Sequence, residues 1–245
     1  MFFKKTAIPR ETPKKRFIDS TIEISKESWF EVFSACLGKS MANQKACSEF
    51  VVKGQNWNVD FSKGVISFGK NEFPVQFIGS ESKSSNTWLW GWDNVNNFSN
   101  DILKIADEAK EIGSTWNLEP FTTPKFEITE TFNGHAISIV ATSVCKENVC
   151  YYKGPHDGGA IFVAFHKIPD KVFAPVDAPA FTSVTMQCIQ TYYVDHPIFV
   201  KSFLYQNNTA YEQQGNSIIA HFKQDLKIDF ERVDEFFRIS NMKTI

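Results

Sequence analysis

Apolar and polar positions change period several times along the chain, and each change marks a boundary. Across residues 28–47, Trp29, Phe30, Val32, Phe33, Cys36, Leu37 and Met41 recur at helical spacing. Ser28 stands where an N-cap belongs, and Glu31 three residues later completes a capping box, so the pattern predicts an amphipathic helix of about five turns. Gly38 falls inside it and weakens it. From 49 to 94 the period shortens to extended runs at 50–52, 57–61, 65–68, 73–79 and 87–93, broken by Ser62-Lys63-Gly64, Gly69-Lys70-Asn71 and a polar loop at 79–86. These runs predict an antiparallel meander that ends on Thr87-Trp88-Leu89-Trp90-Gly91-Trp92-Asp93-Asn94.

A second helix follows. Ser99 caps it, Asp101 enters its positive first turn, Ile102, Leu103, Ile105, Ala106, Ala109 and Ile112 form its buried stripe, and Gly113 ends it. Residues 114–125, with Pro120 and Pro124, read as a connector, and 131–144 as a helix whose β-branched content leaves a strand reading open. The runs 148–153 and 160–165 pair as a hairpin through Gly154-Pro155-His156-Asp157-Gly158-Gly159. Residues 181–193 return to helical spacing. Asp195 then caps a short helix reaching about Tyr205, with Pro197 tolerated in its first turn. The runs 211–214, 217–222, 226–230 and 235–239 close the chain as antiparallel strands. Segregated runs of this kind predict an α+β fold of antiparallel β-meanders packed with amphipathic helices, with helix then meander at both ends of the chain.

Length and composition refine this picture. At 245 residues the chain can bury a core, and its 24 Phe point to a phenylalanine-rich interior. The expected organisation is a basic tail over 1–24 and one domain over 25–245, divisible into subdomains at 25–115 and 126–245. A formal net charge of −2 offers no field to attract a polyanion, so nucleic acid is not the expected partner. No apolar run reaches the length of a membrane span or of a signal h-region, so neither membrane nor export is expected. Five cysteines, an odd number with no C-x-x-C, argue for a reducing cytoplasm and against a disulfide framework or zinc knuckle. The five histidines lie at no ligand spacing, so neither metal nor cofactor is expected.

Three motifs carry a resemblance. The Trp88-Leu89-Trp90-Gly91-Trp92 strand, the Tyr151-Tyr152-Lys153-Gly154-Pro155 hairpin with Gly158-Gly159, and the Asp195-His196 segment together resemble an uncharacterised family of soluble bacterial proteins, a domain of unknown function, over roughly residues 25–241. The resemblance implies a bacterial origin and a single compact unit. It brings no catalytic residue with it.

Candidate chemistry is sparse. On a strand, Trp88, Trp90 and Trp92 leave one face, either as a platform that stacks a ligand or partner or as a core layer beneath a helix. His156 and Asp157 in their glycine-rich loop are the weak candidates for a base or an anion site, although turn chemistry also explains them. Asp195 beside His196 invites a dyad reading, but Asp195 is needed as a cap. Two functions stand: an interaction protein without catalytic activity, of the immunity-protein kind, whose partner is another protein, or a small-ligand binder or hydrolase-type enzyme with a site between Trp88–Trp92 and Gly154–Gly159.

Overall fold

The computed structural model describes residues 22–245, so most of the predicted basic tail lies outside the described residues. Helix α1, Trp29–Cys47, lies against α4 (Gly134–Val144), α5 (Ala178–Thr191), α6 (His196–Gln206), strand β6 (Cys150–His156) and the 3₁₀ turn Asp170–Phe173. Ser28 caps it through its hydroxyl, which accepts the Glu31 N–H at 3.3 Å. The Glu31 carboxylate does not return to Ser28 but accepts the Ser25 N–H at 2.8 Å, because the Ser28 N–H is already given to the Ser25 carbonyl. Gly38 has a packing role. A Cβ there would stand 2.6 Å from the Phe203 ring, so its absence lets α6 cross α1 closely.

The run 50–52, read as extended, instead continues α1 as a wider π-turn, Ser48–Val52, closed by Lys53 in the left-handed region. Strands β1 (Trp57–Asp60), β2 (Val65–Phe68), β3 (Asn71–Ser82) and β4 (Thr87–Trp90) then form the meander. The tryptophan strand is not its last member. β5 (Lys125–Glu127) pairs outside β4, and β7 (Gly159–Phe165) pairs with β3 and carries β6 beyond it. The long β3 organises this sheet: its first residues face β2, while Gly79 and Glu81 face Trp90 and Trp88 of β4.

Helix α2, Asn100–Trp116, runs through Gly113 to an Asn117 cap in the left-handed region. A Cβ on Gly113 would lie 2.4 Å from Phe121, so that glycine admits α3 (Glu119–Thr122) and does not end the helix. Asn133 caps α4, accepting the Ala136 N–H at 3.0 Å, which sets the helix start three residues later than the apolar pattern.

The chain closes with β8 (Tyr211–Gln214), β9 (Ser217–Ala220), β10 (Leu226–Val233) and β11 (Phe236–Thr244), a second antiparallel sheet in the order β11-β10-β9-β8. Helices and antiparallel sheets in segregated runs make the fold α+β. Two apolar cores form. One joins α1, α4, α5 and α6 to Trp88, Trp90, Phe162 and the second sheet; the other places Ile66, Phe68, Phe77 and Phe165 against Ile102 and Leu103 of α2. Each fully buried large side chain contributes roughly 1.5–3 kcal/mol.

Candidate functional site

The indoles face inward. Trp88 and Trp90 are 0% and 1% exposed, and the strand ends at Trp90, so Trp92 sits in a following 3₁₀ turn, partly buried beneath the Lys110 ammonium at 4.2 Å. Trp88 meets Trp90 and Phe162 edge to face at 5.6 and 5.5 Å. Trp90 donates its Nε1–H to the Pro120 carbonyl at 2.8 Å. Gly91 is needed on the opposite side, where a Cβ would meet the Phe77 and Ile78 carbonyls at 2.9 Å. The spacing that suggested a platform is thus met by a core layer.

His156 and Asp157 are exposed at the tip of the β6–β7 hairpin. The Gly158 N–H donates to His156 Nδ1 at 3.1 Å, which is turn chemistry within four residues. His166 pairs with Glu147 at 3.0 Å at the far end of the same hairpin, so the two histidines do not approach. Trp88 and His156 therefore share no open cleft. Among the described residues no group of three or more metal-ligating side chains comes together.

A polar cluster between the Trp strand and the hairpin was not legible in the sequence. Glu81 of β3 accepts the Gly134 N–H at the start of α4 at 2.7 Å and pairs with Lys153 at 3.2 Å. A carboxylate at a helix N-terminus is favoured by the helix dipole as well as by the hydrogen bond. His135 bonds the Tyr151 hydroxyl at 3.1 Å through Nδ1. Burial lowers the His135 pKa, Lys153 lowers it further and Glu81 opposes both, while burial raises that of Tyr151. All four residues stand on neighbouring elements, yet Glu81 lies far from Tyr151 and Lys153 in the sequence, and no local pattern joins them.

The family of unknown function DUF6882 matches residues 31–168. The chain belongs to the DUF6882 family. The match contains the Trp strand, the hairpin and the Glu81–Lys153 cluster, but it stops before Asp195-His196, so the third motif of the resemblance lies outside it. No curated protein and no solved structure matches the chain.

Beyond the DUF6882 span, Asp195 caps α6 by accepting the Ile198 N–H at 2.8 Å, and His196 Nδ1 accepts the Ile239 N–H of β11 at 3.0 Å. The two neighbours do separate jobs, and no dyad forms. His196 blunts the outer edge of β11 at that residue. Beside it, Arg238 donates to the Val194 carbonyl at 2.6 Å and lays its guanidinium over Tyr193 and Phe236, 4.9 and 5.0 Å from the ring centroids. Phe30 of α1 closes the group, 5.2 Å from Tyr193 and 6.0 Å from Phe236. Tyr193 remains 65% exposed. Composition hid this cluster because its members come from three separate segments.

An open groove of about 830 Å³ lies where α6 parts from the second sheet. Ile218, Phe230 and Phe237 make its apolar floor, and Lys201 stands on its helical wall. No helix among the described residues is long and apolar enough to cross a membrane.

Proposed function

We propose that this DUF6882 chain is a binding protein without catalytic activity, acting in a bacterial cytoplasm, and that it holds a protein partner on the face built by Phe30, Tyr193, Phe236 and Arg238. The observation that carries this reading is the Arg238 guanidinium packed over Tyr193 and Phe236 with Tyr193 65% exposed. Tyrosine and arginine are the side chains that most often dominate protein interfaces, and here their rotamers are already fixed by packing and by the Val194 hydrogen bond. Less conformational entropy is then lost on binding. Val233, 45% exposed and paired with Phe236 across the β10–β11 hairpin, extends the apolar rim. The fitting partner surface offers a carboxylate to Arg238 and apolar side chains to the rings. A toxin neutralised by an immunity protein is one partner of this kind.

Five buried cysteines, an odd number, suit a reducing compartment. The test is affinity capture with the purified chain from cells that express it naturally, run in parallel with a Tyr193→Ala/Arg238→Ala variant. A stoichiometric partner recovered by the first and lost with the second supports the reading. Equal recovery removes it.

A further inference from the structure

The groove beneath α6 has a chemistry distinct from that of the Arg238 face. Phe236 and Arg238 alternate with Phe237 along β11, so the face and the groove lie on opposite sides of one strand. The floor is apolar: Ile218 is fully buried, Phe230 is 8% exposed, and Phe237 is 40% exposed at the mouth. The rim is polar and uncharged, supplied by the amides of Asn208, Gln213 and Asn216. The Gln213 Nε2 donates to the Gly215 carbonyl at 2.7 Å, and its amide oxygen is an acceptor. Lys201 is the one charged side chain among the described lining residues, and no described carboxylate pairs with it.

We propose that this groove binds a small amphipathic monoanion, a carboxylate or sulfonate carried on a flat apolar body. The volume lies in the range of small-molecule sites, about 300–1,000 Å³, and a few placed polar groups around an apolar floor are the usual composition of such sites. A single uncompensated ammonium on a wall of low polarity favours one negative charge. It does not suit a polyphosphate or nucleic acid, whose several charges need several cations. A neutral ligand would make no use of the Lys201 ammonium, and a cation would be repelled. The anion therefore seats against Lys201 while its ring system covers Phe230 and Phe237.

Calorimetric titration of the full chain with naphthalene-2-sulfonate, naphthalene-2-methanol and naphthalen-2-ylmethylammonium separates these cases. Saturable one-to-one binding of the sulfonate is expected, about tenfold tighter than the alcohol, with no binding of the ammonium. Lys201→Gln is expected to bring the sulfonate down to the affinity of the alcohol and to leave the alcohol unchanged, and Phe237→Ser to weaken both. Lys201 is a half-exposed wall residue, and unchanged thermal unfolding of Lys201→Gln confirms that the fold is kept. Failure of the wild-type chain to bind the sulfonate overturns the proposal, as does equal sulfonate affinity in Lys201→Gln.

Discussion

His196 Nδ1 accepts the backbone N–H of Ile239 at 3.0 Å, joining the first turn of α6 to the outer strand of the second sheet. A ring nitrogen that accepts cannot carry a proton, and burial together with the nearby Arg238 charge lowers the His196 pKa to about 4. In the unfolded chain the ring returns to its ordinary value near 6.5. The unfolded state therefore binds the proton first on acidification. The stability from this contact is complete above pH of about 6.5 and is lost as the pH falls toward 4, on the order of 2 kcal/mol in all. His196→Ala strands the Ile239 N–H, costs about 1–3 kcal/mol at neutral pH and flattens that part of the acid limb. Chemical denaturation at several pH values reads both effects.

The polar cluster offers a test in two directions. Glu81 raises the His135 pKa and Lys153 lowers it. Glu81→Gln is therefore expected to move the His135 titration midpoint down, and Lys153→Met to move it up, as followed by NMR. Glu81→Gln also removes the anion at the start of α4, at a cost of about 1–2 kcal/mol. Midpoints that move together would show that the two charges do not reach the ring.

Two glycines test close packing. Gly38→Ala gains roughly 1 kcal/mol of helix propensity but drives a methyl into the Phe203 ring, 2.6 Å away, so a net loss of about 1–2 kcal/mol is expected. Gly113→Ala meets Phe121 at 2.4 Å and should cost a similar amount. A gain in stability at either position would mean that the neighbouring ring moves without strain.

The tryptophans differ in a measurable way. Trp90 loses a hydrogen bond to Pro120 when replaced by Phe, whereas the Trp88 Nε1 has no partner among the described residues. Trp90→Phe should therefore destabilise more than Trp88→Phe, by about 1 kcal/mol in denaturant titrations. The reverse order would place the more important contact at Trp88.

These residues also show what local pattern can and cannot reveal. Period and caps located most elements: Ser28, Asn133 and Asp195 bond the N–H groups that capping rules require, although only Ser28 and Asp195 stood out beforehand. Gly38 and Gly113 misled as a weak spot and a stop signal, because their reasons, Phe203 and Phe121, arrive from other helices. The π-turn at Ser48–Val52 carries apolar residues that suit a strand equally well, and tertiary packing decides. The Trp strand was the most conspicuous motif and proved to be core. The clusters that carry chemistry, Glu81 with Lys153 and Arg238 with Tyr193, are assembled across sheets and helices, so their members are ordinary residues in the linear chain.

Whether the Arg238 face holds a protein partner is decided by the paired capture, with Tyr193→Ala/Arg238→Ala set beside the unaltered chain. The two proteins should unfold at temperatures within a few degrees of each other, since Tyr193 is mostly exposed. One stoichiometric partner is expected on the unaltered chain and at least a tenfold weaker complex with the variant, a loss of about 1.4 kcal/mol or more. A partner held equally well by both would contradict it.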